Sequence, residues 1–124
     1  MKAQGERSRV ISENIANAGT AALTPDSDPY ARKIITFKNQ MDKTYKTDLV
    51  KVKDIADDKK TEFQLKYMPD HPGANKAGYV KMPNVNMVIE LSDMREAQRS
   101  YEANVNLITA TRRMIQRTID ILKA

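Results

Sequence analysis

Along the last third of the chain, apolar residues return at alternating three- and four-residue steps. Leu91, Met94, Tyr101, Val105, Ile108, Ile115, Ile119 and Leu122 occupy the series, with Gln98 and Arg112 as its only polar members. This is a heptad seam on one long helix, and polar residues at seam positions can fix register at a cost in stability. Asn86 is placed to act as the N-cap and Glu90 falls in the first turn, so the spacing predicts a helix over 85–124 with its regular part ending near Leu122. At 1.5 Å per residue that helix is roughly 50 Å long, more than a small domain can cover. At the other end, Ile11, Ile15 and Ala18 recur at steps of four and three, predicting an amphipathic helix over 1–18, which Gly19 closes in a left-handed C′ conformation. This helix starts at the first residue with no capping sequence, which predicts further helical turns upstream.

Between the helices the period changes. Residues 19–29 hold two prolines, two aspartates and small residues and are predicted to be a loop. A β-rich stretch is expected over 30–84. Ile34, Ile35 and Thr36, flanked by Tyr30 and Phe37, favour a strand. Val50 and Val52 alternate with Lys51 and Lys53, and Phe63, Leu65 and Tyr67 alternate with Gln64 and Lys66. These two runs are predicted to pair as an antiparallel hairpin across the polar turn Asp57-Asp58-Lys59-Lys60, with Ala31–Phe37 as a third strand. Residues 68–84, carrying three prolines and two glycines, are predicted to form an irregular connection. The expected fold class is α+β: long terminal helices forming a coiled-coil stalk, with a small antiparallel β domain between them.

Composition sharpens this picture. The 124 residues include no Trp and only two Phe, so a single thin core is expected, with burial completed by association. Net charge is +5, but residues 38–66 mix eight Lys with six Asp or Glu and read as a solvated surface. The one lopsided stretch is 107–124, where Arg112, Arg113, Arg117 and Lys123 face only Asp120, a pattern that also complements a helix C-terminus. Absence of cysteine excludes disulfide frameworks and thiolate chemistry. No run approaches the roughly 20 apolar residues of a membrane span, and no apolar signal segment opens the chain.

Candidate chemistry is sparse. His71, the single histidine, sits between Pro69-Asp70 and Pro72-Gly73 without a partner constellation for general-base work. Asp57 and Asp58 lack the oxygen spacing of a calcium loop. The four glycines are scattered, so no phosphate loop is present. Neither a catalytic site nor a cofactor or metal site is expected, and no small-molecule substrate or nucleic-acid partner. The alternative from another class is a basic coiled-coil adaptor that binds nucleic acid or an acidic protein.

Longer motifs point elsewhere. Ser12-Glu13-Asn14-Ile15-Ala16-Asn17-Ala18 resembles the signature closing the N-terminal helix in the flagellar rod and hook axial-protein family, and Asp28-Pro29-Tyr30-Ala31-Arg32-Lys33 is similar to the loop of its proximal-rod members. Gly78-Tyr79-Val80-Lys81-Met82-Pro83-Asn84-Val85-Asn86 resembles the lead-in to their terminal helix, within which Asp93-Met94 and Arg99-Ser100-Tyr101-Glu102-Ala103-Asn104-Val105 also match. The resemblance implies a structural subunit of the proximal rod of the flagellar basal body, transmitting torque. It would be exported by the flagellar type III apparatus without signal cleavage and assembled in the periplasm. Implied partners are other rod proteins, copies of itself, the base of the rod at the membrane ring, and the export apparatus in transit. Implied packing residues are Asn14, Ile15, Ala16 and Asn17 at the inner end of the first helix, and Asn84, Asn86, Tyr101 and Asn104 in the long last helix or its start.

Overall fold

A computed structural model describes residues 1–42 and 46–123; residues 43–45 and Ala124, which the expected β-rich stretch and last helix include, lie outside the described residues. Helix α1 spans Lys2–Asn17. Strands β1 (Lys33–Asp42), β2 (Thr47–Asp57), β3 (Gln64–Tyr67) and β4 (Tyr79–Met82) follow, and α2 runs over Met87–Lys123. The class is α+β, with helices at both ends and two small antiparallel sheets between them.

The helix termini follow local chemistry. Asn86 Oδ1 accepts from the Val88 backbone N–H at 3.0 Å and from that of Ile89 at 3.4 Å, the N-cap geometry that satisfies donors left open at a helix start. At the end of α1 the expected left-handed Gly19 is corrected. Ala18 is right-handed (φ −59°, ψ −25°), and Gly78 is the only glycine with positive φ among the described residues. The helix closes through tightened bonds instead, Ala18 N–H to Ile15 O and Thr20 N–H to Asn17 O, which need no residue with positive φ.

Strand pairing differs from the expected hairpin. β2 pairs with β1, from Lys33↔Asp57 to Asp42↔Thr47, and β3 pairs with β4. The reason lies in the Asp57-Asp58-Lys59-Lys60 segment. Asp58 Oδ1 accepts from the backbone N–H groups of Lys60 and Thr61, its Oδ2 accepts from Thr61 Oγ1, and its own N–H donates to Arg32 O. This turn is tied to the start of β1, so the chain leaves the first sheet instead of folding back along β2. β4 lies within the stretch expected to be irregular. Its entry is made by Gly78 at φ +80°, where a Cβ would stand 2.8 Å from the Tyr67 ring, and Tyr67 and Tyr79 then meet edge to face at 5.3 Å.

A bulge in the first sheet preserves its inner face. Thr36 opposes Asp54 and Phe37 opposes Val52, leaving Lys53 as an extra residue in β2. Ile35 and Phe37 therefore share a face with their partners Ile55 and Val52, and Ile35, Val52 and Ile55 are half-buried. The core is thin, as composition predicts. Among the described residues its buried apolar members are Val10, Ile11, Ala22, Val80, Val85 and Ala97, none aromatic. Close approach substitutes for bulk: a Cβ on Gly73 would lie 2.0 Å from the Ala22 carbonyl oxygen.

Candidate assembly surface

The helix pair is held by polar groups. Asn14, buried on α1, uses every hydrogen-bonding site of its amide. Its Nδ2 donates to Lys33 O (2.9 Å) and Glu90 Oε2 (3.2 Å), and its Oδ1 accepts from Lys33 N–H (2.9 Å) and Tyr30 Oη–H (2.9 Å). Glu90, only 1% exposed, accepts from Arg32 Nε at 2.6 Å as well. On the other side, Asn84 Oδ1 accepts from the Arg32 N–H at 2.7 Å, and its Nδ2 donates to Asp58 O and Thr61 O, each at 3.0 Å. Two buried asparagines thus bracket Arg32 and Lys33, fastening the loop, the first sheet and both helices at one point. Lys33 Nζ pairs with Glu13 at the periphery. Burial, then the carboxylates of Glu13, Asp57 and Glu90, push the Tyr30 phenol up to about 12, because each disfavours the phenolate.

This network determines which stripe of α2 meets α1. Asn14 meets Glu90, while Arg7 reaches Asp93 at 3.6 Å and Glu96 at 3.7 Å, so the helices run antiparallel. The covered stripe is Glu90 and Ala97, with Asp93, Ser100 and Asn104 half-buried beside them. These residues precede the seam positions Leu91, Met94, Gln98, Tyr101 and Val105 by one, about 100° around the helix. The contact is therefore made by small and polar side chains, and the apolar seam is left beside it.

Each residue implied for packing has a definite place. Asn14 and Asn84 are buried in the intrachain network. Ile15 and Asn17 are half-buried, Asn17 donating to Glu13 O, and Ala16 is exposed; Asn86 is the exposed N-cap. On α2, Met94, Asn104 and Val105 are half-buried, whereas Leu91, Gln98, Tyr101, Ile108, Arg112, Ile115, Ile119 and Leu122 are exposed. Beyond Val105, every described residue of α2 is exposed. Leu107, Met114 and Ile121 widen that apolar surface.

Sequence reading missed Tyr30, Arg32, Lys33 and Glu90 as the organising cluster. A signal was present: Glu90, Ala97 and Asn104 recur every seven residues beside the seam, a polar and small stripe suited to close helix approach. What that stripe would meet was not readable. His71 Nδ1 accepts from the Gly73 N–H at 3.0 Å, closing a local turn.

Comparison with known proteins agrees with the motifs. A family model described as flagellar basal body rod FlgEFG protein C-terminal matches residues 76–121. The flagellar basal-body rod protein FlgC of Agrobacterium fabrum is 48% identical over 124 residues, covering 100% of this chain and 88% of that protein. FlgC of Borreliella burgdorferi is 38% identical over 140 residues, covering 99% of this chain and 91% of its own length. For FlgC of Bacillus subtilis the values are 33% over 139 residues, with 99% and 91% covered.

Proposed function

Because the chain belongs to the FlgC family of flagellar basal-body rod proteins, we propose that the exposed seam of α2 is the surface by which it packs against neighbouring rod subunits. It is a structural subunit of the basal-body rod, not an enzyme, and it assembles with other rod components. One observation carries the proposal about the seam. Ile108, Ile115, Ile119 and Leu122 keep heptad spacing on a part of α2 whose described residues are all exposed. An apolar stripe maintained where the monomer gains nothing from it fits burial in an assembly, worth roughly 5 kcal/mol for four such side chains before the costs of association. Copies of the same chain and the base of the rod at the membrane ring are the further neighbours in this reading. The mature location is the periplasm, reached through the flagellar export apparatus without signal cleavage, and the assembled helices carry motor torque.

Complementation tests the reading. In a strain lacking its own gene of this family, this chain is expected to restore basal-body rods, seen by electron microscopy, and swimming. The Ile115→Asp variant, folded by circular dichroism, should restore neither. Normal motility with Ile115→Asp would remove the seam from assembly.

A further inference from the structure

We propose that His71 is a proton-sensitive clasp: its neutral imidazole holds the 68–78 connection against the loop over 19–29, and uptake of a proton as pH falls below neutral releases that hold. Gly73 is buried, and its backbone N–H donates to His71 Nδ1 at 3.0 Å. Among the described residues this N–H has no other acceptor. An imidazole nitrogen accepts only while it carries no proton, so the bond requires the neutral ring with its hydrogen on Nε2. Protonation turns Nδ1 into a donor and leaves a buried N–H without a partner.

The same turn is made elsewhere in the chain with an oxygen. Asn75 Oδ1 accepts from Ala77 N–H, Asn86 Oδ1 from Val88 N–H and Asp58 Oδ1 from Lys60 N–H, each two residues on. The two amides accept at every pH, and the Thr61 hydroxyl, then the Lys60 N–H, hold the Asp58 carboxyl below its usual value, so that acceptor survives well into acid. Only at His71, among the described residues, is the acceptor an imidazole, the side-chain type whose charge changes between about pH 5 and 8.

This turn bears directly on the neighbouring loop. A Cβ on Gly73 would meet the Ala22 carbonyl oxygen, so the two backbones are in contact, and the buried Ala22 donates its N–H to Lys81 O at 3.1 Å. A shift of Gly73 therefore disturbs the loop that leads to Tyr30 and Arg32. The charged residues in the surrounding segments are Asp70 and Lys76 in the connection, Asp26 and Asp28 in the loop, and Lys66 and Lys81 on β3 and β4. Lys81 Nζ pairs with Asp28 at 2.9 Å, and among the described residues no ion pair joins any of these groups to His71. No carboxylate thus compensates the imidazolium for the lost bond.

Amide exchange followed by NMR on the full chain tests the clasp, with protection factors referred to the intrinsic rate at each pH. The N–H groups of Gly73 and Ala22 are expected to lose about tenfold in protection between about pH 8 and pH 5, as one bond to a buried donor is lost. His71→Asn keeps an acceptor at the same spacing and should stay protected at both pH values, whereas His71→Ala should be poorly protected at both. The single imidazole of the unaltered chain gives a direct reading as well: in its neutral form the nitrogen shifts should show Nε2 protonated and Nδ1 bare. Unchanged protection across that pH range in the unaltered chain would overturn the proposal, as would a neutral ring protonated at Nδ1. An equal loss in His71→Asn would overturn it too, by placing the acid-sensitive group elsewhere. The two readings on the unaltered chain decide the question even if a variant fails to fold.

Discussion

Asn14 concentrates more of this fold than any apolar residue does. Its four hydrogen bonds join α1 to the backbone on both sides of Lys33, to the Tyr30 hydroxyl and to Glu90. Asn14→Ala would orphan several of these groups at once, and at about 1–3 kcal/mol for a buried unsatisfied group the expected loss is on the order of 3 kcal/mol, read from urea unfolding. A loss below about 0.5 kcal/mol would mean that water replaces the amide without penalty. Tyr30 adds a pH signature. Its phenol is raised from 10.0 to about 12 in the fold, so the neutral form is the one the native state favours. The stability it contributes is complete below about pH 10 and is lost as pH rises towards about 12, where the unfolded chain has already ionised. Alkaline absorbance titration should show one phenol ionising late, and Tyr30→Phe should remove that component. Asp58 behaves in the opposite sense. The Thr61 hydroxyl and then the Lys60 N–H hold its carboxyl below the usual value of 3.8, so its contribution is present above that value and lost as pH falls through the lowered one.

At the scale of elements, α2 has two kinds of support that differ in size. Its N-cap is local: Asn86→Ala should cost about 1 kcal/mol. The Glu90 contact is tertiary, because Glu90→Ala leaves Arg32 without its 2.6 Å partner and strips Asn14 of one acceptor. Breaking a buried pair costs about 3–5 kcal/mol, and since Arg32 is partly exposed the lower end is expected. Thermal unfolding of both variants should rank Glu90→Ala well below Asn86→Ala; equal effects would mean that the buried pair contributes no more than a cap. The β elements depend on similar ties. A two-stranded sheet is marginal alone, and the first sheet is anchored where Asn14 grips Lys33 and Asp58 grips Arg32.

For the whole molecule, what matters is the division of α2 into a stripe used internally and a seam left open. Tyr101 marks the boundary, with 44% of its surface exposed beside the last turns that α1 covers. Tyr101→Ala should shift unfolding by no more than about 0.5 kcal/mol, as exposed sites do, yet impair rod assembly in the complementation strain. Full swimming with that variant would restrict the assembly surface to the distal seam.

Legibility in the sequence followed the range of the interaction. The two helices, the Asn86 cap and the period-two runs were readable because periodicity and capping act within a few residues. Whether Val50 and Val52 pair with Ile34 and Ile35 or with Leu65 and Tyr67 was not, since all three runs carry compatible alternation and the choice is made by where Asp58 is tied. The asparagines at 14 and 84 were recognised by resemblance, but their partners lie 16 to 76 residues away in the chain. By itself the sequence determined that a long apolar seam exists, because every residue of that stripe lies on one helix. Only the tertiary structure decided that α1 packs one residue to the side of it, since that rotation is set by Glu90 meeting Arg32 and Asn14, groups that come together only when distant segments fold onto one another.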